Sequence, residues 1–162
     1  MTEAKWLYDA DFVLWAEEQA AALRAAARGA SNLELDWENL AEEIEDLGKS
    51  SRRELRSRLL VILEHLLKLE YSPAVDPRAG WRETIGRERS NTEDLLDESP
   101  SLRGELAGMI EAAATRAARV AVHGLAAHGE AAVAIPPPRY SIDQVLGDWF
   151  PPEPAQGQGG AA

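Results

Sequence analysis

The chain is expected to be an all-α bundle of about four main helices, with one long central helix and a short helix near the C-terminus. Three observations predict this class. Apolar residues recur at helical spacing through most of its 162 residues, and no segment shows the strict alternation of a half-buried strand. Between about Asp36 and Tyr71 one apolar phase persists long enough for a single helix of roughly 50 Å, at about 1.5 Å per residue. Hydrophobic residues at 45% and charged residues at 28% are the composition of a chain that buries a core. The length suits one domain, taken as residues 1–150, followed by a disordered Pro/Gly/Gln/Ala-rich tail over residues 151–162.

The first helix is expected from about Asp9 to Arg28, because Phe12, Trp15, Ala16, Ala20, Leu23 and Ala27 share a face and Gly29 suits its C-terminal stop. Ser31 and Asn32 belong to a short loop. Asp36 then caps the central helix, which runs to Tyr71 before Ser72-Pro73. Its stripe comprises Trp37, Leu40, Ala41, Ile44, Leu47, Ser51, Leu55, Leu59, Ile62, Leu66 and Leu69. Ser51 and Glu54 have the spacing of a capping box, which would break the helix at Gly48. The unbroken register of the stripe favours continuity.

A third helix is expected from Pro77 to Glu98 through Trp81, Ile85, Thr92, Leu95 and Leu96, although Gly86 costs it about 1 kcal/mol relative to alanine. Ser99-Pro100 reads as an N-cap followed by proline in the first turn of a fourth helix that reaches Ala127. Pro136-Pro137-Pro138 is extended. Ser141 and Gln144 match a capping box for a short helix ending near Gly147, after which Trp149 and Phe150 fold back as an anchor.

With these motifs placed, the chain resembles the domain-of-unknown-function family 29. The resemblance is carried by Asp11-Phe12-Val13-Leu14-Trp15, by the acidic block from Asp36 to Gly48, and by Arg53-Glu54-Leu55-Arg56-Ser57-Arg58-Leu59. His65-Leu66-Leu67-Lys68, Trp81-Arg82 and Ser99-Pro100-Ser101-Leu102 continue it. It covers about residues 7 to 150. It implies a bacterial protein with an all-helical fold and no assigned activity, and it supplies no catalytic residues.

Several chemistries are excluded or weakened by the residues themselves. With no cysteine, disulfides, thiolate metal sites and cysteine nucleophiles are absent. A carboxylate-bridged metal centre normally uses Glu-x-x-His pairs, but Ile62, Val120 and Leu125 stand three residues before His65, His123 and His128. A mixed metal site using Glu43 or Glu54 with His65 needs further ligands, since Glu54 and His65 lie about 16 Å apart along one helix. Gly48-Lys49-Ser50 echoes a phosphate loop, yet Glu43 occupies the position of its first glycine. No Gly-x-Ser-x-Gly elbow occurs. No cofactor and no metal site are therefore expected.

Met1-Thr2-Glu3-Ala4-Lys5 lacks the basic and apolar segments of a signal peptide, and no apolar run reaches bilayer-spanning length, so a cytoplasmic chain without membrane association is expected. A formal charge of −11 disfavours nucleic acid as a partner. The local basic run Lys49, Arg52, Arg53, Arg56 and Arg58, extended by Arg82, Arg87 and Arg89, keeps nucleic-acid association as a second alternative. Salt bridging within the chain is the competing account of that run.

The expected function is a non-catalytic protein-interaction or regulatory module. Gly48 and Ser51 are the small members of a large apolar stripe, flanked by Lys49, Arg52 and Arg56. They form the candidate interface, either for an antiparallel homodimer or for an unidentified protein partner. The competing account places another helix of the same chain at that crossing. The alternative function is an enzyme or metal-binding bundle. It would use a polar site drawn from Glu43, Arg58, His65, Trp81 and Arg82, for which a register-fixing polar network is the structural alternative.

Overall fold

A computed structural model of the chain describes residues 3–29, 33–130 and 134–154. The helices are α1 (Glu3–Ala10), α2 (Phe12–Arg28), α3 (Trp37–Tyr71), α4 (Arg78–Glu98), α5 (Leu106–Ala127) and α6 (Ile142–Leu146), with a 3-10 turn over Pro100–Glu105 before α5. The described residues contain no strand, so the all-α class is correct. The expected loop residues Ser31 and Asn32 lie outside the described residues.

The chain divides into two compact units. The first unit joins Met1–Leu55 with Thr92–Glu105, and the second joins Arg56–Asn91 with Leu106–Ala162.

In the first unit the helix expected from about Asp9 begins at Phe12, and a separate helix, α1, precedes it. Asp11 ends α1 and caps α2, with its Oδ1 accepting from the Leu14 N–H at 2.9 Å. The same carboxylate accepts from the Ser101 N–H at 2.6 Å and the Ser101 hydroxyl at 3.0 Å. Ser99 Oγ in turn accepts from the Val13 N–H at 3.3 Å. Two motifs some ninety positions apart, Asp11-Phe12-Val13 and Ser99-Pro100-Ser101, therefore meet as one capping cluster, and both Asp11 and Ser99 are buried.

α2 and the first half of α3 run antiparallel. Gly48 faces Val13 and Ala16, while Arg24 reaches back to Glu38 and Glu45. Their seam is lined by small residues: Ala16, Ala20, Ala41 and Gly48 are all buried. A thin seam brings the helix axes close and leaves larger neighbours at its edges. Leu40 and Leu47 accordingly stay 41% and 46% exposed, although both belong to the one apolar stripe that the periodicity predicts.

In the second unit the same stripe is covered. Leu59, Ile62, Leu63, Leu66, Leu67 and Leu69 are fully or almost fully buried, as are Ile85 and the α5 residues Ala117 and Ala121. α3 is continuous through Gly48, as its register required, so Ser51 and Glu54 do not start a new helix. The fourth expected helix opens instead as the 3-10 turn before α5.

The C-terminal clasp of the second unit follows its sequence signals. Ser141 and Gln144 form the capping box, and Gly147 ends α6 with its N–H donating to the Asp143 carbonyl. After the clasp, Pro151 is buried, and Glu153 lies 3.7 Å from Arg78 and 3.8 Å from Arg82. Residues 155–162 lie outside the described residues.

Candidate functional site

Of the candidate interface residues, Gly48, Lys49, Ser51 and Arg52 belong to the first unit and Arg56 to the second. Gly48 is buried, and a Cβ built there would stand 3.6 Å from Ala16 Cβ and from the Val13 carbonyl oxygen. The close crossing at Gly48 is supplied by α2 of the same chain, the competing account of these small residues. Those distances are ordinary contacts, so alanine fits without moving α2. Gly48→Ala is expected to raise stability by about 0.5–1 kcal/mol, by lowering the chain entropy lost in a helix interior; chemical unfolding followed by circular dichroism checks this.

The basic flank is also engaged within the chain. Lys49 Nζ lies 3.2 Å from Glu45 and 3.1 Å from Asp46. Arg52 bonds Glu105 at 2.9 Å and Glu17 at 2.7 Å. Burial disfavours the Arg52 charge, but Glu105 and Glu17 outweigh it and raise its pKa above the ordinary arginine value. Arg24 and then Lys49 hold the Glu45 carboxyl below its ordinary range. Arg56 is exposed.

Ser51 has a different setting. With Tyr8, Phe12, Leu95, Asp9, Glu54 and Glu98 it lines an open depression of about 380 Å³. Tyr8, Phe12 and Trp15 form one aromatic cluster at its edge, with ring centroids 4.8–5.8 Å apart. The α3 row Leu40, Ile44, Leu47 and Ser51 advances by three or four residues at each step, so the exposed leucines lead along one helix flank into this depression. Glu43 is exposed beside that row, and among the described residues it has no ion-pair partner. The lining therefore combines aromatic and aliphatic surface with the acids Asp9, Glu54 and Glu98, and no basic side chain lines it.

Of the candidate polar group, Glu43 belongs to the first unit, while Arg58, His65, Trp81 and Arg82 belong to the second. Their partners differ. Arg58 pairs with Glu88 at 3.0 Å. His65 Nδ1–H donates to the Val61 carbonyl at 2.8 Å. Arg82 stands over the Phe150 ring, 5.2 Å from its centroid, and near Glu153. Trp81 lines a cavity of about 290 Å³ with Lys68, Pro77, Gly124, Leu125, His128 and Glu130. Among the described residues, no group of three or more His, Asp or Glu side chains is placed to hold a metal ion.

Arg89, expected to extend a basic stripe, turns inward instead. It donates to the carbonyls of Gln144 and Val145 at 2.9 Å and of Trp149 at 2.7 Å, and its guanidinium lies 4.9 Å from the Phe150 centroid. Burial pulls its pKa below the ordinary arginine value, with Asp148 opposing.

Burial lowers the pKa of His65 below 6.5, with Lys68 and Arg87 acting in the same direction against Val61 and Glu64. The unfolded chain therefore takes up this proton first as pH falls. His65 leaves stability unaffected well above pH 6.5 and subtracts from it below that value, down through the lower folded pKa. His65→Asn is expected to flatten the loss of stability between about pH 7 and pH 5. An unchanged slope would assign that loss to other groups.

The sequence pattern found the leucine row and Ser51 but not the depression, whose walls come from α1, α2, α3 and α4. It missed Lys68, Gly124 and Glu130 as neighbours of Trp81, because only the fold joins them.

No helix among the described residues is long and apolar enough to cross a membrane. A comparison with curated proteins returns no match. Among solved structures, an α-helical protein of unknown function from Rhodospirillum rubrum is similar at 29% identity with a TM-score of 0.69, covering 87% of this chain and 89% of that one. The family model described as Domain of unknown function DUF29 matches residues 7–150. The chain belongs to the DUF29 family, as the motifs in that span indicated.

Proposed function

We propose that the protein is a non-catalytic interaction module whose first unit docks a basic amphipathic helix of a protein partner. The observation that carries this reading is the acid-rimmed apolar strip from Leu40 through Leu47 into the Tyr8–Phe12–Ser51 depression. Leu40 to Ser51 spans about 16 Å, or three helical turns, which suits the apolar face of a short helix. Asp9, Glu43, Glu54 and Glu98 set the charge of the partner, and the net charge of −11 extends the same attraction over the molecule. The same sign of charge works against a second copy on this face.

A labelled Leu/Lys amphipathic helical peptide, followed by fluorescence anisotropy, tests the reading. Binding is expected to weaken at least about tenfold with Leu40→Asp plus Leu47→Asp, and to weaken with added salt. Folding of that variant should be unimpaired, because both leucines are largely exposed. Equal binding of a Leu/Glu peptide, or no effect of the double substitution, would overturn it. So would a wild-type dimer at micromolar concentration that the double substitution dissociates, since a second copy would then be the occupant.

A further inference from the structure

We infer that the second unit carries a binding site for a small organic cation, in the cavity of about 290 Å³ beside Trp81. This site is separate from the docking strip, and its occupant is a small molecule.

The charge of the cavity wall decides the ligand class. Lys68 lines the cavity, but its ammonium lies 2.5 Å from Glu64 Oε1, and their side chains are only 11% and 16% exposed. That pair neutralises itself. Gly124 makes room for it: a Cβ there would stand 2.9 Å from both Lys68 Cε and Nζ. The lysine is thereby committed to Glu64 and is a poor anchor for an anion.

Glu130 supplies the remaining formal charge. Its Oε1 accepts from the Ser72 hydroxyl at 2.7 Å, while its Oε2 is buried and has no hydrogen-bond donor among the described residues. The carboxylate gives the cavity wall a negative charge, which favours a bound ammonium or amidinium over an anion. Trp81 adds an aromatic wall, the surface on which a cation gains from the ring quadrupole. Pro77 and Leu125 give apolar surface for the hydrocarbon part of the ligand. The volume lies at the small end of ligand pockets, which run from about 300 Å³ upward, so a compact ligand fits.

Titration with benzylamine, read by NMR at the Trp81 indole N–H and the Gly124 amide, tests the inference. Benzylamine should give saturable shifts at both positions, and phenylacetate, similar in size but anionic, should give none. Glu130→Gln and Trp81→Leu should each weaken benzylamine binding at least about tenfold; if Glu130→Gln does not fold, Trp81→Leu carries the comparison. Absence of saturable shifts with benzylamine, an equal response to phenylacetate, or undiminished affinity in the folded variants would overturn the inference. Because the amphipathic peptide plays no part here, failure at this cavity leaves the docking strip untouched, and the reverse holds.

Discussion

Asp11→Ala is expected to destabilise the first unit by about 3 kcal/mol, one of the two largest single-residue effects in the molecule. The substitution removes the N-cap of α2, which alone is worth about 1 kcal/mol. It also strands the Ser101 N–H, whose 2.6 Å bond to Asp11 joins the start of α2 to the turn before α5. Asp11→Asn keeps an oxygen for the Leu14 N–H and should cost about half as much. Urea unfolding of the two variants, followed by circular dichroism, gives the comparison. Equal stability of Asp11→Ala and the wild type would show that the two motifs do not depend on this carboxylate.

The second large effect is Arg89→Ala, expected to cost about 3 kcal/mol through the loss of charge-assisted bonds to three carbonyls. Arg89 is the common partner of Gln144, Val145 and Trp149, and its guanidinium also lies against the Phe150 ring. Its removal should release the clasp before the rest of the second unit. Hydrogen exchange is expected to accelerate first at the Val145 and Gly147 amides, which donate to Ser141 and Asp143. Arg89→Lys should recover little, because an ammonium does not reproduce the planar fork. Exchange unchanged at those amides would mean that the capping box holds α6 unaided.

Where an element is fixed by neighbours in sequence, it was legible. Asp36 accepts from the Asn39 N–H before α3 and Ser72-Pro73 follows its end, so both limits of the 35-residue helix could be placed. The Ser141–Gln144 box is equally local. The break at Asp11 and the helix before it were not legible, because the reinforcing donors at Asp11 come from Ser101, ninety positions away. The exposure of Leu40 and Leu47 was not legible either. Periodicity gives the phase of a helix face but not how much of that face is covered, and here the Ala16–Ala20–Ala41–Gly48 seam takes the burial.

The same distinction applies to the sites. The small residues of α3 marked a close helix crossing, and the crossing exists, with α2 as the partner. Arg52 was visible as a charge, but its bonds to Glu17 and Glu105 required the tertiary fold. The five polar candidates share the family pattern and are not all explained by apolar packing, but neither property brings them together. Trp81 is the one that lines the cavity with Lys68 and Glu130, while Arg58, His65 and Arg82 meet other partners.

The docking strip is tested most directly by NMR titration of the protein with the Leu/Lys peptide. The predicted result is a contiguous set of shifted amides at Phe12, Leu40, Ile44, Leu47 and Ser51, with the Arg52 amide and the second unit little affected. Saturable binding whose shifts fall elsewhere, or no shift along the Leu40–Ser51 row, would contradict it.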